Sequence, residues 1–357
     1  MAIGTYAYVL EEAGKPLARR ERKIDSAADG TAVLEVLGCG VCHTDLGFAD
    51  GAVRTKLGAP IVLGHEIVGR VLRASRAELV GKRVLAPAVS PCGTCATCRR
   101  GRPTSCPAGR MPGNDADGGF ATHCVVPDRD LFALDDRPGL DGPLGSAALP
   151  AWQIAPIADA ATTAWQAIVR SGLRSGDVAV FVGAGGVGGF GIQLAHAEGA
   201  HVVALDVDER RLQAYDGTAD HAIKIAGDER AVRDAIRAFI KARGLRDAPV
   251  RVFETSGSPA GQALAFTLLE RGGSLSVVGF TPEKIPLRLS NVMALDADVF
   301  GNWGCDPALY GGVIERVLDG RVKVGPFVES RPLSSVNEVL AEVRAHSLAK
   351  RAVLIPD

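Results

Sequence analysis

The spacing of apolar and polar positions divides the chain into two textures. Up to about residue 155 the apolar residues come in short runs broken by Gly and Pro, as in "TAVLEVLGCG", "IVLGHEIVGRVLRAS", "KRVLAPAV" and "GGFATHCVVP". Few of these segments carry a helical period. Short alternating or continuous apolar runs bounded by turn residues predict strands, and many of them in succession predict a β-barrel or sandwich. The pattern then changes. "DAATTAWQAIVRSGL" reads as a helix, and "GDVAVFVGAGGVGGFGIQLAHAEGAHVVALDVD" reads as strand, glycine-rich turn, helix and strand. "VRVFETSG" and "GSLSVVGF" are further buried strands, each beside a helical segment such as "ERAVRDAIRAFIKARG" or "PAGQALAFTLLERG". Apolar strands alternating with helices predict a parallel, doubly wound α/β sheet. Beyond about residue 303 the texture is mixed again, with helical "ALYGGVIERVLDG" and "SVNEVLAEVRAHS" and a closing strand "KRAVLIP".

Composition narrows the class. A length of 357 residues suits roughly two domains of about 150 residues each. The net charge of −1 gives no global electrostatic case for nucleic acid or an anionic membrane. No apolar run reaches the roughly 18 residues that span a bilayer. The opening "MAIGTYAYVLEEAGKPLARRE" lacks a basic segment followed by an apolar one, so a cytoplasmic protein is expected. In that setting eight cysteines point to metal binding or catalysis rather than to a disulfide framework.

Three constellations carry candidate chemistry. In "VAVFVGAGGVGGFGIQLA", Gly183, Gly185 and Gly188 form G-x-G-x-x-G between an apolar strand and a helix, and Asp206 ends the next strand. Glycines there let the backbone turn tightly and approach a pyrophosphate, and the helix N-terminus offers free N–H groups. Asp206 would accept from an adenosine ribose and repel a 2′-phosphate, which favours NAD over NADP; Arg211 is a second ribose candidate. In "PCGTCATCRRGRPTSC", Cys92, Cys95, Cys98 and Cys106 can close a tetrahedral Zn2+ shell, which leaves no open position and so implies a structural role. An iron–sulfur cluster is the rival there. The third group joins Cys42, in "GCGVCHTD", to His65 and Glu66, in "LGHEIVG". It can serve as part of a catalytic zinc site, or as a nucleophilic cysteine with a histidine base.

Taken together, "GCGVCHTD", "LGHEIVGRV", the four-cysteine loop and "VGAGGVG" follow one another as in the zinc-dependent medium-chain alcohol dehydrogenases, which the chain resembles over nearly its whole length. The resemblance implies a GroES-like β-barrel catalytic domain over residues 1–158 and 303–357 and a Rossmann NAD-binding domain over 159–302. It implies one catalytic and one structural zinc, NAD as coenzyme, a small-molecule alcohol substrate and a homodimer or homotetramer. Cys42 and His65 match two catalytic zinc ligands. The third is usually a cysteine, and Asp159 takes its place in "APIADAATTAW". Glu66 matches an acid beside the metal, Asp45 an acid that holds the His65 tautomer, Thr44 the hydroxyl that takes the substrate proton, and His43 a residue near the coenzyme phosphate. Gly186, Val187 and Val278 fall at coenzyme positions. Gly47 stands where the family often has a histidine ending the proton relay.

The segment "RMPGNDADGGFATHCVVP" is similar to the branch of that family that oxidises a ring secondary alcohol on a cyclohexenoyl-CoA thioester to the ketone. It implies a CoA thioester substrate and a substrate-lining loop over 111–119, with Asn114 and Asp115 as polar contacts. The alternatives are a zinc alcohol dehydrogenase acting on free secondary or allylic alcohols, and a non-catalytic protein that binds zinc and a dinucleotide.

Overall fold

The structure is a computed structural model and describes residues 2–24 and 28–357. The chain forms two compact units, one of Met1–Asp159 with Gly304–Asp357 and the other of Ala160–Trp303. The first unit opens with strands β1 (Ile3–Leu10), β2 (Ala18–Ile24) and β3 (Thr31–Gly40), then helix α1 (His43–Ala49). Strands β4 (Ile61–Val62), β5 (Glu66–Ala74) and β6 (Arg83–Ala86), helix α2 (Ala96–Arg99), and strands β7 (His123–Pro127) and β8 (Phe132–Ala133) follow. A 3-10 stretch, Ala151–Ala158, leads out of the unit.

The second unit runs α3 (Ala160–Ser171), β9 (Val178–Val182), α4 (Gly186–Ala197), β10 (His201–Asp206), α5 (Glu209–Gln213), β11 (His221–Lys224) and α6 (Glu229–Ala242). It continues through β12 (Val250–Glu254), α7 (Pro259–Thr267), β13 (Ser274–Val277), α8 (Ser290–Leu295) and β14 (Asp298–Gly301). The chain then returns to the first unit as α9 (Tyr310–Leu318), β15 (Val328–Pro332), α10 (Val336–Arg344) and β16 (Arg351–Ile355).

In the first unit β3 is the hub. It pairs antiparallel with β5, β7 and β16 within a seven-stranded sheet, and β1 carries β2 and β4 in a three-stranded one. A strand with neighbours on each side buries both faces, which is why "TAVLEVLGCG" shows little alternation: Ala32, Val33 and Leu34 are all buried. The short, Gly-punctuated strands expected over this region form the two sheets of the first unit.

In the second unit the sheet order is β11-β10-β9-β12-β13-β14, every pairing parallel. The five residues of β9 are all buried, as a central parallel strand requires. Helix α6 shows the helical counterpart. Val232, Ile236 and Phe239 lie on one buried face, and Asp228 caps the N-terminus by accepting the Arg230 and Ala231 N–H groups. No helix among the described residues is long and apolar enough to cross a membrane.

One buried ion pair braces the first unit. Arg83, on β6, donates its backbone N–H and its Nε–H to Asp135 Oδ2, both at 2.9 Å, and a further guanidinium N–H reaches Asp135 Oδ1. Burial raises the Asp135 carboxyl, but the Arg83 hydrogen bonds and charge outweigh it and hold the group below its ordinary value. Removing one partner leaves the other charge buried and unpaired, so Asp135→Ala should cost about 3–5 kcal/mol, read as a fall in the thermal unfolding midpoint. Because the folded value is lowered, the pair's stabilisation is complete above the unfolded carboxylate range, about pH 4, and drains away as pH falls through the folded value. A midpoint for Asp135→Ala equal to that of the unsubstituted chain at neutral pH would show that the pair braces nothing.

Candidate metal centre and dinucleotide site

Cys42 follows the end of β3 and caps α1, so the chain turns sharply and delivers a thiol, a hydroxyl and a carboxylate within one helical turn. The carboxylate of Asp45 is fully buried. Its Oδ2 accepts the Cys42 N–H at 2.9 Å, its Oδ1 accepts the Gly64 N–H at 3.0 Å, and His65 Nδ1 lies 3.2 Å from Oδ1. Three contacts to one side chain thus fix the α1 turn against the segment that enters β5. With Nδ1 engaged, His65 turns Nε2 towards Asp159 Oδ2, 3.4 Å away, and Cys42 Sγ lies 3.6 Å from the same oxygen. Asp159 reaches this point from the end of the 3-10 stretch.

Those distances test the metal assignment. A tetrahedral Zn2+ with Zn–S of about 2.3 Å, Zn–N of about 2.0 Å and Zn–O of about 2.1 Å sets S···O and N···O edges of about 3.6 and 3.4 Å. The observed edges match, so the residues present fit a single zinc ion. Glu66 lies in the same cluster, whose candidate ligand atoms are all within 4.8 Å of one another. Its Oε1 accepts from Arg351 of β16, and its Oε2 is buried with no hydrogen-bond partner. Burial pushes Glu66 up to about 7 against the pull of Arg351, and the Asp159 carboxylate pushes it the same way. Burial works against a charged His65. The Asp45 carboxylate and hydrogen bonds to Asp159, Asp45 and Cys42 outweigh it and raise the imidazole well above its ordinary value. Thr44 Oγ1 lies 3.7 Å from Cys42 Sγ. His43 is exposed and stacks on His346 at 5.9 Å between ring centroids.

The second cysteine cluster closes on itself. Sγ separations are 4.0 Å for Cys92–Cys98, 3.5 Å for Cys95–Cys98, 3.7 Å for Cys95–Cys106 and 3.4 Å for Cys92–Cys106. A Zn(Cys)4 tetrahedron has edges of about 3.8 Å. The thiols therefore enclose room for one ion and none for a cluster of iron and sulfide. Backbone N–H groups of Thr94 and Cys95, with the Thr94 hydroxyl and Cys106 thiol, lower Cys92 to about 6. Burial and hydrogen bonds with neighbouring thiols raise Cys98 to about 12. Ser90 and Arg110 exchange backbone hydrogen bonds at 2.8 Å and close the neck of the loop. Arg99, Arg100 and Arg102 are exposed around it.

In the second unit Gly183 has φ of +102°, and a Cβ on Gly188 would sit 1.9 Å from the Gly183 carbonyl oxygen. The fingerprint spacing is thus enforced by contact between the turn and the first turn of α4, which begins at Gly186 and Val187 after Gly185 as cap. Asp206 ends β10 and is nearly fully buried. Its Oδ2 accepts the Ala184 N–H at 2.8 Å and its Oδ1 the Asp208 N–H at 2.9 Å, while Arg211 Nη1 is 3.8 Å from Oδ2. The aspartate therefore also clamps the glycine turn, a role the sequence does not suggest. Val278 follows β13 and donates its N–H to the Glu254 carbonyl at 2.9 Å.

Asn114 and Asp115 have local work in the structure. Asn114 is buried, and its Oδ1 accepts the Lys56 N–H at 3.0 Å; Asp115 Oδ1 accepts the Met111 N–H at 3.0 Å. Both side chains hold loop 111–115, with Asn114 tying it to residues 56 and 57. Sequence reasoning missed Arg351 altogether. The strand "KRAVLIP" carries no sign that its arginine meets a glutamate 285 positions earlier.

Residues 28–136 match the alcohol dehydrogenase GroES-like domain and residues 186–319 the zinc-binding dehydrogenase domain. An alcohol dehydrogenase of Geobacillus stearothermophilus is 31% identical over 359 residues, spanning 98% of each chain. The crystal structure of the alcohol dehydrogenase from Aeropyrum pernix has a TM-score of 0.82 at 28% identity, covering 98% of this chain and 100% of that one. A thermostable alcohol dehydrogenase from Pyrobaculum aerophilum, solved with cobalt and zinc bound, shares the fold with a TM-score of 0.82 at 24% identity, over 99% of this chain and 100% of that one. The chain belongs to the zinc-dependent medium-chain alcohol dehydrogenases, a GroES-like unit joined to a Rossmann-like parallel sheet. It is an oxidoreductase of alcohols that uses zinc and a nicotinamide dinucleotide.

The two clusters make separable contributions to metal content. Asp159→Ala should lose one zinc ion per chain and keep the other, and Cys98→Ala should do the reverse, both read by elemental analysis of dialysed protein. Full zinc content in Asp159→Ala would remove the aspartate from the metal shell.

Proposed function

We propose that this enzyme oxidises a secondary or allylic alcohol to the carbonyl compound with reduction of NAD. The observation that supports this most is the convergence of Cys42 Sγ, His65 Nε2 and Asp159 Oδ2 at zinc-like spacing with the Thr44 hydroxyl alongside. Three protein ligands leave the fourth position for the substrate oxygen. Zinc, when bound there, would act as a Lewis acid that favours the alkoxide, and NAD would accept the hydride. Cys42, His65 and Asp159 hold the metal, and Asp45 holds His65 in the tautomer that offers Nε2. Thr44 takes the hydroxyl proton of the substrate and passes it outward; with Gly47 in place of a relay histidine, the exposed His43 or water receives it. Glu66, buried and ion-paired with Arg351, is the group placed to replace water beside the metal while substrate and product exchange.

NAD is the coenzyme in this reading because the Asp206 carboxylate at the end of β10 repels a 2′-phosphate. Gly183, Gly185, Gly186, Val187 and Gly188 cradle the pyrophosphate at the start of α4, and Arg211 and Val278 complete the coenzyme contacts. The setting is cytoplasmic, in keeping with eight cysteines none of which is in a disulfide. The assembly is a homodimer or homotetramer; β14, an edge strand with Val299 exposed, and the exposed Leu289, Met293 and Trp303 of the same unit support it.

The narrower reading, a ring secondary alcohol on a cyclohexenoyl-CoA thioester, rests on the likeness of the segment around 111–119. The loop-holding hydrogen bonds of Asn114 and Asp115 leave that likeness as its support. NADH formation measured on cyclohexenoyl-CoA alcohols and on the corresponding free alcohols separates the two. A rate advantage for the thioester supports the narrower reading, and equal rates leave the free alcohol as substrate. Thr44→Val should lower kcat by about 10²–10⁴-fold with zinc content unchanged. A kcat within twofold of the unsubstituted enzyme would take the proton away from Thr44.

A further inference from the structure

Glu254 ends β12 and is completely buried, an unusual place for a carboxylate outside the metal cluster. Its Oε1 accepts three hydrogen bonds: the Ser256 N–H at 2.9 Å, the Ser256 hydroxyl at 2.6 Å and the Gly257 N–H at 3.1 Å. Its Oε2 has no partner and faces Gly279, where an added Cβ would lie 2.7 Å from it. Its carbonyl oxygen accepts from Val278 and Gly279, at 2.9 and 3.0 Å. One residue therefore ties together the turn after β12 and the turn after β13. The first of these turns also reaches the glycine-rich loop. Thr255 Oγ1 donates to the Gly183 carbonyl at 2.7 Å, and a Cβ on Gly183 would lie 2.7 Å from Ser256. Gly257, at φ +65°, and Gly279 pack so closely that a Cβ on Gly279 would meet Gly257 N at 2.3 Å.

The placement gives this clamp a purpose. In a doubly wound sheet the dinucleotide lies beyond the carboxyl ends of the strands, across the point where strand order reverses. Here that point is between β9 and β12. The glycine turn and Asp206 occupy the β9–β10 half, which takes the adenosine. The turns joined by Glu254 occupy the β12–β13 half, which takes the nicotinamide. A buried carboxylate is costly, and nothing in β12 itself needs one, since Val182 and Val277 end the flanking strands without it.

We propose that Glu254 is a positioning residue for the nicotinamide half of the coenzyme: it sets the mutual placement of residues 255–257 and 278–279, and through them the surface the nicotinamide end meets. This rests on the NAD reading above. Titration calorimetry of the zinc-loaded enzyme with NADH and with AMP tests it, because AMP probes the adenosine half alone. Glu254→Gln should weaken NADH by about tenfold or more and leave AMP within about twofold. Unchanged NADH affinity, or parallel losses for NADH and AMP, would overturn the proposal, the second outcome marking a general disturbance of the sheet. If Glu254→Gln does not fold, Ser256→Ala removes one of the three donors and should give the same one-sided loss at about threefold, read by the same criteria. Absence of NADH binding by the unsubstituted enzyme would remove the coenzyme reading itself, and this inference with it.

Discussion

The metal centre depends on one buried carboxylate. Asp45 lies out of solvent entirely, and such a group is tolerated only where hydrogen bonds replace its water. It receives them from Cys42 and Gly64 and meets His65. Those contacts join two pieces of chain that β3 and β5 bring side by side, and each piece carries one candidate metal ligand. The same carboxylate decides which imidazole nitrogen is offered. Without it, Cys42 and His65 would be two polar residues near each other, with no fixed distance to Asp159.

In the proposed site the third position is where this chain departs from the usual thiolate. A carboxylate there makes the site harder, with one sulfur, one nitrogen and one oxygen in place of two sulfurs and a nitrogen. Glu66 adds a second carboxyl close by, and Arg351 keeps its charge in check from β16. The ion pair is nearly buried, and the arginine is held charged: burial works against it, and the Glu66 carboxylate more than compensates. One Glu66 oxygen is thereby fixed while the other is buried without a hydrogen-bond partner, packed against Gly40.

Much of this was readable along the chain, and the limits have physical causes. The change from short strands to alternating strands and helices is a local property, so the two architectures were legible from periodicity. The four cysteines of the 92–106 loop and the G-x-G-x-x-G turn are also local, and the structure brings each group together as its spacing implies. Cys42 and His65 are distant in sequence and were joined by their residue types; Asp159 entered by resemblance alone. Arg351 was invisible because its partner is set by strand pairing across the sheet, which no local pattern records; Glu254, whose carboxylate accepts from Ser256 and Gly257 close by, carries no pattern that marks it as buried. Asn114 and Asp115 show the opposite limit. Polar residues in a glycine-rich loop suggest ligand contact, and the structure also gives each a bond within the protein: Asn114 Oδ1 accepts from Lys56, far along the chain, and Asp115 Oδ1 from Met111 within the loop.

The central claim is that one zinc ion sits on a single sulfur, with His65 and Asp159 beside it, while the other sits on four. X-ray absorption at the zinc edge of the fully loaded enzyme measures this directly, because sulfur and lighter ligands scatter at different distances, about 2.3 against about 2.0–2.1 Å. The expected result is five sulfur ligands shared between two ions. A count of four would take Cys42 out of the metal shell, and a count of six would put a thiolate where Asp159 is assigned.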